Sequence, residues 1–161
     1  MHAESPTSPL RYTFRVDASF DLRSRIAGIG VVLSESKRRR RDGPSIATFS
    51  EAYRDVPPGL CEKLAILRAL EIGRDRGLSK VKIRSDYNAM RRELKRDYES
   101  GSCQNREDLH GRILRLAREF DRVVFSWLPR RKNQQAHGLA RRAVASEVPL
   151  TRSDIQWLHR S

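Results

Sequence analysis

Arg11-Tyr-Thr-Phe-Arg-Val-Asp-Ala-Ser19 alternates apolar with polar residues, which is the period of a half-buried strand. Asp17 stands near the end of this stretch and is followed at once by the small residues Ala18 and Ser19. Because acidic residues are disfavoured inside strands, we expect Asp17 to lie where strand pairing ends. We therefore predict a central strand of a mixed sheet that carries an aspartate to one edge of that sheet.

The patterns on either side of this strand predict an α/β fold. Hydrophobic periodicity indicates strands over residues 26–33, 45–54, 80–86 and 122–129, and helices over residues 59–76, 87–99, 106–120 and 134–146. A strand, a helix and a strand of these lengths imply a parallel crossover connection. We expect a five-stranded mixed sheet of order 3-2-1-4-5 flanked by helices, formed by residues 11–147 between a flexible N-terminus (1–10) and a C-terminal tail (148–161).

The chain is strongly basic, with a formal net charge of +13 and an isoelectric point near 10.8 over 161 residues. Such an excess favours polyanionic partners, nucleic acid before an anionic membrane surface, although an arginine-rich composition can also reflect genome bias. No apolar run reaches the roughly 18 residues that a spanning helix needs, so we expect no membrane insertion. Cys61 and Cys103 are too isolated to indicate a zinc site or a disulfide framework, and we expect a monomer in the reducing cytoplasm.

Two local motifs raise the question of phosphate binding. Gly28-Ile-Gly30 is superficially similar to a dinucleotide-binding loop, but β-branched residues follow it rather than the start of a helix. We interpret these glycines as permitting a bulge or the close approach of another backbone segment. The basic run Lys37-Arg-Arg-Arg-Arg41 is either a solvated loop or a phosphate contact between two strands.

Four residues that are far apart in the sequence are expected to meet at one edge of the sheet: Asp17 and Asp86 at the ends of neighbouring strands, Glu62 within the apolar arc of a helix, and His137 on the apolar face of the last helix. A carboxylate such as Glu62 in apolar surroundings needs a cation, either a metal ion or one of the many arginines. His137 is either a metal ligand or a core histidine satisfied by hydrogen bonds.

Three carboxylates at one sheet edge favour a divalent metal site, because crowded carboxylates repel one another and raise their pKa values unless cations lie between them. Mg²⁺ prefers oxygen ligands and keeps several waters, which leaves positions for phosphate oxygens. Two such ions can activate an attacking water and stabilise the departing oxygen of a phosphodiester. The residues therefore fit metal-dependent cleavage of nucleic acid.

Five pieces of the chain occur in an order that extends over residues 11–147: Val16-Asp-Ala-Ser19, Gly28-Ile-Gly-Val-Val-Leu33, Glu62 with Ala65 and Leu70, Ser85-Asp86, and Asn133-Gln-Gln-Ala-His-Gly-Leu-Ala140. Together they resemble type 1 ribonuclease H, especially its compact reverse-transcriptase-like branch. The resemblance implies a ribonuclease H-like fold and cleavage of the RNA strand of RNA–DNA hybrids by a two-metal-ion mechanism. The alternatives are a non-catalytic nucleic-acid-binding module of this fold and a nuclease of this fold with another substrate.

The resemblance also implies a role for each of the four residues. Asp17 corresponds to the aspartate that bridges both ions, Glu62 to the helix glutamate that serves the first ion, and Asp86 to the second strand aspartate. His137 occupies the place of the last acidic ligand, where many relatives carry aspartate. A neutral imidazole supplies no negative charge, so we expect weaker Mg²⁺ binding and a preference for Mn²⁺. All four are expected metal ligands and catalytic residues.

Substrate contacts are implied as well. Asn88 corresponds to a polar position that contacts the RNA strand in the family, and the further expected contacts are Ser19, Arg130, Asn133, Lys37, Arg38 and Arg39. The basic helix and loop that grips substrate in some members is missing from this sequence. Tyr87 and Trp127 can stack on bases or sugars, although we expect Trp127, at the end of a strand, to lie in the core.

Overall fold

The computed structural model describes residues 11–36 and 42–145. The elements in chain order are β1 (Tyr12–Asp21), β2 (Ile26–Ser36), β3 (Asp42–Arg54), α1 (Cys61–Asp75), β4 (Lys80–Ser85), α2 (Asn88–Ser100), α3 (Leu109–Ala117), β5 (Arg122–Trp127) and α4 (Gln134–Val144), with short 3-10 turns at Pro58–Leu60 and Arg130–Lys132. The predicted N-terminus (1–10) and tail (148–161), and the basic residues Lys37, Arg38 and Arg39, lie outside the described residues. In the part that the structure describes, no helix is long and apolar enough to cross a membrane.

The five strands form one mixed sheet in the order β3-β2-β1-β4-β5, which confirms the predicted topology. β2 pairs antiparallel with β1 and β3, whereas β4 pairs parallel with β1 and β5. The prediction for Asp17 was only half right. Pairing of β1 with β4 ends at Arg15 and Arg84, but pairing with β2 continues through Asp17 to Asp21. Asp17 therefore lies where the sheet opens on one side only.

The central strand is covered on both faces, so the expected half-buried pattern was wrong. Phe14 and Val16 join the core cluster that includes α1, and the polar residues Thr13 and Asp17 are also buried. The cover over Asp17 is α4, which packs against β1 and β2. Since directly opposed residues in an antiparallel pair share a face, Asp17 and its partner Gly30 both face α4.

The glycines of β2 explain how closely α4 approaches the sheet. A Cβ atom at Gly28 would lie 2.1 Å from the carbonyl oxygen of Ala140, and one at Gly30 would lie 2.1 Å from that of Ala136. Any side chain at either position would thus push the helix away. The close-approach interpretation of Gly28-Ile-Gly30 is confirmed, and the approach places the first turns of α4 beside Asp17.

The helix ends follow local capping. The Asp108 side chain accepts a hydrogen bond from the backbone N–H of Gly111, so α3 begins at Leu109 rather than at the predicted residue 106. Gly101 adopts a left-handed conformation with φ of 72° and ends α2. Leu64 and Leu67 of α1 are buried, and α3 packs against α1.

Candidate active site

Three carboxylates meet at the edge of the sheet where β1 and β4 separate. Asp17 and Asp86 each lie two residues beyond the last β1–β4 pair, and Glu62 is in the first turn of α1. One carboxylate oxygen from each of the three lies within 4.8 Å of the other two. We call these residues, Asp17, Glu62 and Asp86, the carboxylate cluster. Their convergence is the arrangement that the strand and helix order predicted.

Glu62 is held against β1 but keeps one unsatisfied oxygen. Its Oε1 atom accepts a hydrogen bond from the backbone N–H of Ala18 at 3.2 Å. Its Oε2 atom is buried and has no hydrogen-bond partner among the described residues. No arginine among the described residues donates a hydrogen bond to this oxygen, and a metal ion as its partner stays a prediction. Asp86 is similar, because its buried Oδ2 atom also accepts no hydrogen bond within residues 11–36 and 42–145. This atom lies 3.8 Å from Nε of the exposed Arg130.

The electrostatics of the cluster oppose full ionisation. Burial, followed by the charges of Asp17 and Asp86, raises the pKa of Glu62 to about 9. Burial, followed by the charge of Asp17, also raises the pKa of Asp86, although Arg130 and His137 act in the other direction. A divalent cation bound among the three carboxylates would favour their ionised forms and so lower the pKa values of Glu62 and Asp86. Crowded carboxylates with orphaned buried oxygens are a donor set that fits Mg²⁺ or Mn²⁺.

His137, which lies on α4, contacts one carboxylate of the cluster. Its Nδ1 atom lies 2.8 Å from Oδ2 of Asp17, and its side chain is 31% exposed, so it is not a core histidine. It stands outside the set of three carboxylates whose oxygens share the 4.8 Å neighbourhood. The contact that the structure gives it is therefore to a carboxylate of the cluster, and a direct role as metal ligand stays a prediction.

Asn133 positions α4 rather than reaching outward. Its side chain is only 1% exposed, and Nδ2 donates a hydrogen bond of 2.8 Å to the carbonyl oxygen of Val16. Its own carbonyl oxygen accepts from the backbone N–H of His137 at 3.0 Å. The expected substrate contact of Asn133 is not supported, because the buried amide ties the start of α4 to β1 beside Asp17.

The other predicted contacts lie around the same sheet edge. Ser19 is half-buried two residues after Asp17, and Asn88 is half-buried at the start of α2, where its Oδ1 atom accepts from Nη2 of Arg91. Arg130 is exposed beside Asp86. The structure thus places three predicted contacts near the carboxylate cluster and leaves their binding to substrate as a prediction.

Sequence reasoning misjudged the exposure of Trp127 and missed a basic face on α2. Trp127 is 46% exposed and not in the core, because it is the last residue of β5 and the strand ends before a helix covers it. Tyr87 is 54% exposed immediately before α2. The spacing of Arg91, Arg92, Lys95 and Arg96, two neighbouring residues repeated after four, could have revealed a basic face on α2.

Comparisons with known proteins agree with this geometry. The model of the family described as reverse transcriptase-like matches residues 15–143. No curated protein sequence matches the chain. Among solved structures, the N-terminal RNase H domain of a Mycobacterium tuberculosis protein has a TM-score of 0.68 at 18% identity, covering 86% of this chain and 96% of that one.

Two RNase H1 structures are similar as well. That of the archaeon Halobacterium salinarum has a TM-score of 0.67 at 23% identity, with 84% of this chain and 98% of that chain covered. LC11-RNase H1 in complex with an RNA/DNA hybrid has a TM-score of 0.69 at 23% identity, with 86% and 99% covered. At these identities the likeness establishes the fold.

Proposed function

Because the chain belongs to the reverse transcriptase-like family and has the ribonuclease H fold, we propose that it is a metal-dependent endonuclease that cuts the RNA strand of RNA–DNA hybrids. The observation that carries the proposal is the carboxylate cluster, in which Asp17, Glu62 and Asp86 bring oxygens within 4.8 Å while two buried oxygens accept no hydrogen bond from the part of the chain that the structure describes. A solved relative of this fold, LC11-RNase H1, holds an RNA/DNA hybrid, which supports the substrate class.

The residues of the cluster would hold two divalent cations, Mg²⁺ or Mn²⁺. When bound, such ions activate an attacking water and stabilise the departing oxygen of a phosphodiester. Asp17 is central because it adjoins Glu62 through the Ala18 backbone and His137 through its own Oδ2 atom. Asp86 supplies the third carboxylate, from the end of β4. The protein supplies the fixed spacing of these oxygens and the buried surroundings that strengthen their interaction with cations.

His137 acts on Asp17. Its Nδ1 contact fixes the orientation of the Asp17 carboxylate, as hydrogen-bonded partners of metal ligands do. The His137 side chain is 31% exposed, so it borders the solvent at the edge of the site. We assign His137 the role of orienting Asp17.

Substrate recognition would combine charge and shape. The net charge of +13 favours phosphate contacts, so affinity should fall steeply with salt. Ser19, Asn88 and Arg130 surround the cluster, where they can meet the strand that is cut. Ribose 2′-hydroxyl groups and the wide minor groove of an A-like hybrid distinguish RNA from DNA. We also propose a reducing, cytoplasmic setting, which fits the free cysteines Cys61 and Cys103.

The test is cleavage of a labelled RNA–DNA hybrid with Mg²⁺ or Mn²⁺. Asp17→Asn and Asp86→Asn should abolish cleavage, because each removes a charged oxygen from the metal site. Asp121→Asn is the matched control, since Asp121 is exposed just before β5, at the other end of that strand from the cluster. Equal cleavage by wild type and by both cluster variants would place the activity elsewhere.

One observation favours a second candidate, a nucleic-acid-binding module with little or no turnover. His137 Nδ1 contacts Oδ2 of Asp17 at 2.8 Å, and the resemblance to type 1 ribonuclease H implies that this histidine occupies the position of the last acidic ligand. The site would then hold cations weakly. This candidate predicts salt-sensitive binding of hybrid without product under any divalent metal, and the appearance of metal-dependent product would eliminate it.

A further inference from the structure

α2 carries a strongly basic exposed face. Arg91, Arg92, Lys95 and Arg96 line a shallow groove on this helix together with Glu99 and Ser100. We call these four cations the α2 basic face. Arg91 and Lys95, and likewise Arg92 and Arg96, have like charges four residues apart, an arrangement that destabilises a helix. Such a pattern lowers the stability of the helix but favours the binding of an anionic ligand.

Two of the three acidic residues of α2 are turned the other way, whereas Glu99 lies at the end of the groove. Asp97 is buried with Oδ2 at 2.8 Å from Nε2 of His110, and Glu93 lies 3.6 Å from Nδ1 of the same histidine. These carboxylates are engaged with α3 and contribute little negative charge to the groove. Glu93 and Asp97 are thus directed toward α3, whereas Arg92, Lys95 and Arg96 are exposed and Arg91 is half-buried. Arg96 also lies 3.3 Å from Oδ1 of Asp97.

The basic face begins next to the carboxylate cluster. α2 starts at Asn88, two residues after Asp86. Along the helix axis, Arg91 and Arg96 are separated by about 7.5 Å, at about 1.5 Å per residue. One strand that passes the cluster can thus continue along the groove.

Two exposed aromatic residues lie between the cluster and the basic face. Trp127 pairs with Ser85 in the β4–β5 ladder, and the Ser85 hydroxyl accepts a hydrogen bond from the backbone N–H of Tyr87. Trp127 is two residues after Phe125, so the two side chains point to the same face of the sheet. The ring of Phe125 packs edge-on against Tyr98 of α2, with ring centroids 5.8 Å apart. Trp127 therefore lies on the sheet face that α2 covers, near the start of that helix, where Tyr87 is also exposed.

Cations that follow a backbone, combined with exposed aromatic faces, are the features that bind unpaired strands, because bases in a duplex are already stacked on each other. We propose that Tyr87, Trp127 and the α2 basic face form a binding track for a single-stranded nucleic-acid segment that leaves a hybrid duplex beside the carboxylate cluster. The inference deepens the proposed function, on which it rests for the hybrid, and assigns the enzyme a preference for hybrids that end in an unpaired extension.

The first test measures binding of a short fluorescein-labelled oligothymidylate by anisotropy in EDTA, where no cleavage is needed. The double variant Arg92→Glu/Lys95→Glu should weaken binding about tenfold or more, and it should lower the salt slope by about 1.4, since each phosphate contact to a single strand contributes about 0.7. The control is Arg11→Glu/Arg122→Glu, which changes the net charge equally at exposed positions at or next to the starts of β1 and β5. Equal losses in the two double variants would overturn the proposal, because net charge alone would then explain binding.

The aromatic residues are tested separately. Tyr87→Ala and Trp127→Ala should each weaken strand binding about 5- to 150-fold, the range for loss of one stacked base, and Trp127→Phe should retain most of the affinity. In a Trp157→Phe background Trp127 is the only tryptophan, so stacking should quench its fluorescence when the strand binds. Unquenched fluorescence together with unchanged affinity of Tyr87→Ala would refute the track.

The cleavage assay separates this inference from the proposed function. Wild type should cut a hybrid with a single-stranded extension faster than a blunt hybrid, and Arg92→Glu/Lys95→Glu should lose this preference while still cutting the blunt hybrid. A chain that binds the strand through these residues but cuts nothing would overturn the proposed function and support the track. Faster cutting of the blunt hybrid by wild type would contradict the track and leave the function intact.

Discussion

Two histidine–aspartate pairs in this molecule have the same 2.8 Å contact but opposite electrostatic surroundings. His137 meets Asp17 at the open edge of the sheet, where Glu62 and Asp86 add two further carboxylates. His110 meets Asp97 between α2 and α3, with Glu93 as the only other acid of the group. We call Glu93, Asp97 and His110 the α2–α3 cluster.

The pKa values separate the two clusters. In the carboxylate cluster, burial and mutual repulsion raise the pKa of Glu62 and of Asp86, so the site is unsatisfied without an added cation. In the α2–α3 cluster, burial acts to raise the pKa of Asp97, but the hydrogen bond with His110 and the contact with Arg96 outweigh burial and lower it. The difference indicates that the first cluster is arranged for a ligand and the second for stability.

The largest expected effect is on catalysis by the carboxylate cluster. Glu62→Gln should reduce hybrid cleavage by about 10²- to 10³-fold, because it removes charge that stabilises the transition state through bound cations. Initial rates at saturating Mn²⁺ measure the change. Glu93→Gln, the corresponding substitution in the α2–α3 cluster, serves as control and should cut normally. Loss of cleavage in both variants would erase the distinction between the two clusters.

The reverse experiment addresses stability. Asp97→Ala should lower the free energy of unfolding by about 2–3 kcal/mol, because it leaves the buried His110 without its partner. Urea unfolding followed by circular dichroism measures this loss, with Glu99→Ala on the exposed side of α2 as control. Hybrid cleavage by the folded variant should persist. A variant as stable as wild type would mean that the α2–α3 cluster is not a structural element.

His137 gives an intermediate effect. His137→Ala should raise the Mg²⁺ concentration needed for half-maximal cleavage by about 10- to 100-fold, the usual consequence of removing a group that orients a metal ligand. His137→Asp should lower that concentration and reduce any preference for Mn²⁺, since it restores negative charge. Metal titrations of both variants provide the measurement. Identical metal dependence of all three proteins would exclude an orienting role for His137.

Per pH unit, the smallest expected effect is a pH dependence in the stability of the metal-free protein. The pKa of Glu62 is raised from 4.5 to about 9 on folding, so between these values the folded chain binds more protons than the unfolded chain. Stability in EDTA should therefore fall as pH rises through this window, by at most about 1.4 kcal/mol per pH unit for this one group. Glu62→Gln should flatten the dependence, and Mg²⁺ should counteract it. A stability that increased with pH up to about 9 would contradict burial and carboxylate repulsion as the cause of the raised Glu62 pKa.

The sheet order and the convergence of Asp17, Glu62 and Asp86 could be predicted because they depend on periodicity and on one parallel crossover. The sequence could not predict whether pairing at Asp17 stops on both sides, because the length of a paired strand is set by its partner strand. β2 extends opposite β1 as far as Asp21. Burial of Thr13 and Asp17 escaped prediction for a related reason, since α4 covers a face that alternation alone assigns to solvent.

The surroundings of individual side chains were harder to predict from the sequence than the order of the strands. Asn133 looked like a polar contact, but the turn before α4 aims its amide at Val16 inside the protein. Trp127 looked like a core residue because tryptophan is large and apolar, yet β5 ends with it. The contact of Asp97 with His110 joins residues 13 apart in sequence on different helices, and no local pattern marks it.

The absence of side chains at Gly28 and Gly30 has a consequence beyond packing. The strand that carries these glycines contributes no residue to the carboxylate cluster, yet it sets how far His137 stands from Asp17, because α4 rests directly on it. A single added methyl group at Gly30 would meet the Ala136 carbonyl oxygen and lift the helix, with the imidazole on it. The chemistry at one end of the sheet is thereby adjusted from a neighbouring strand, so that substitutions remote from every reacting atom can retune the site.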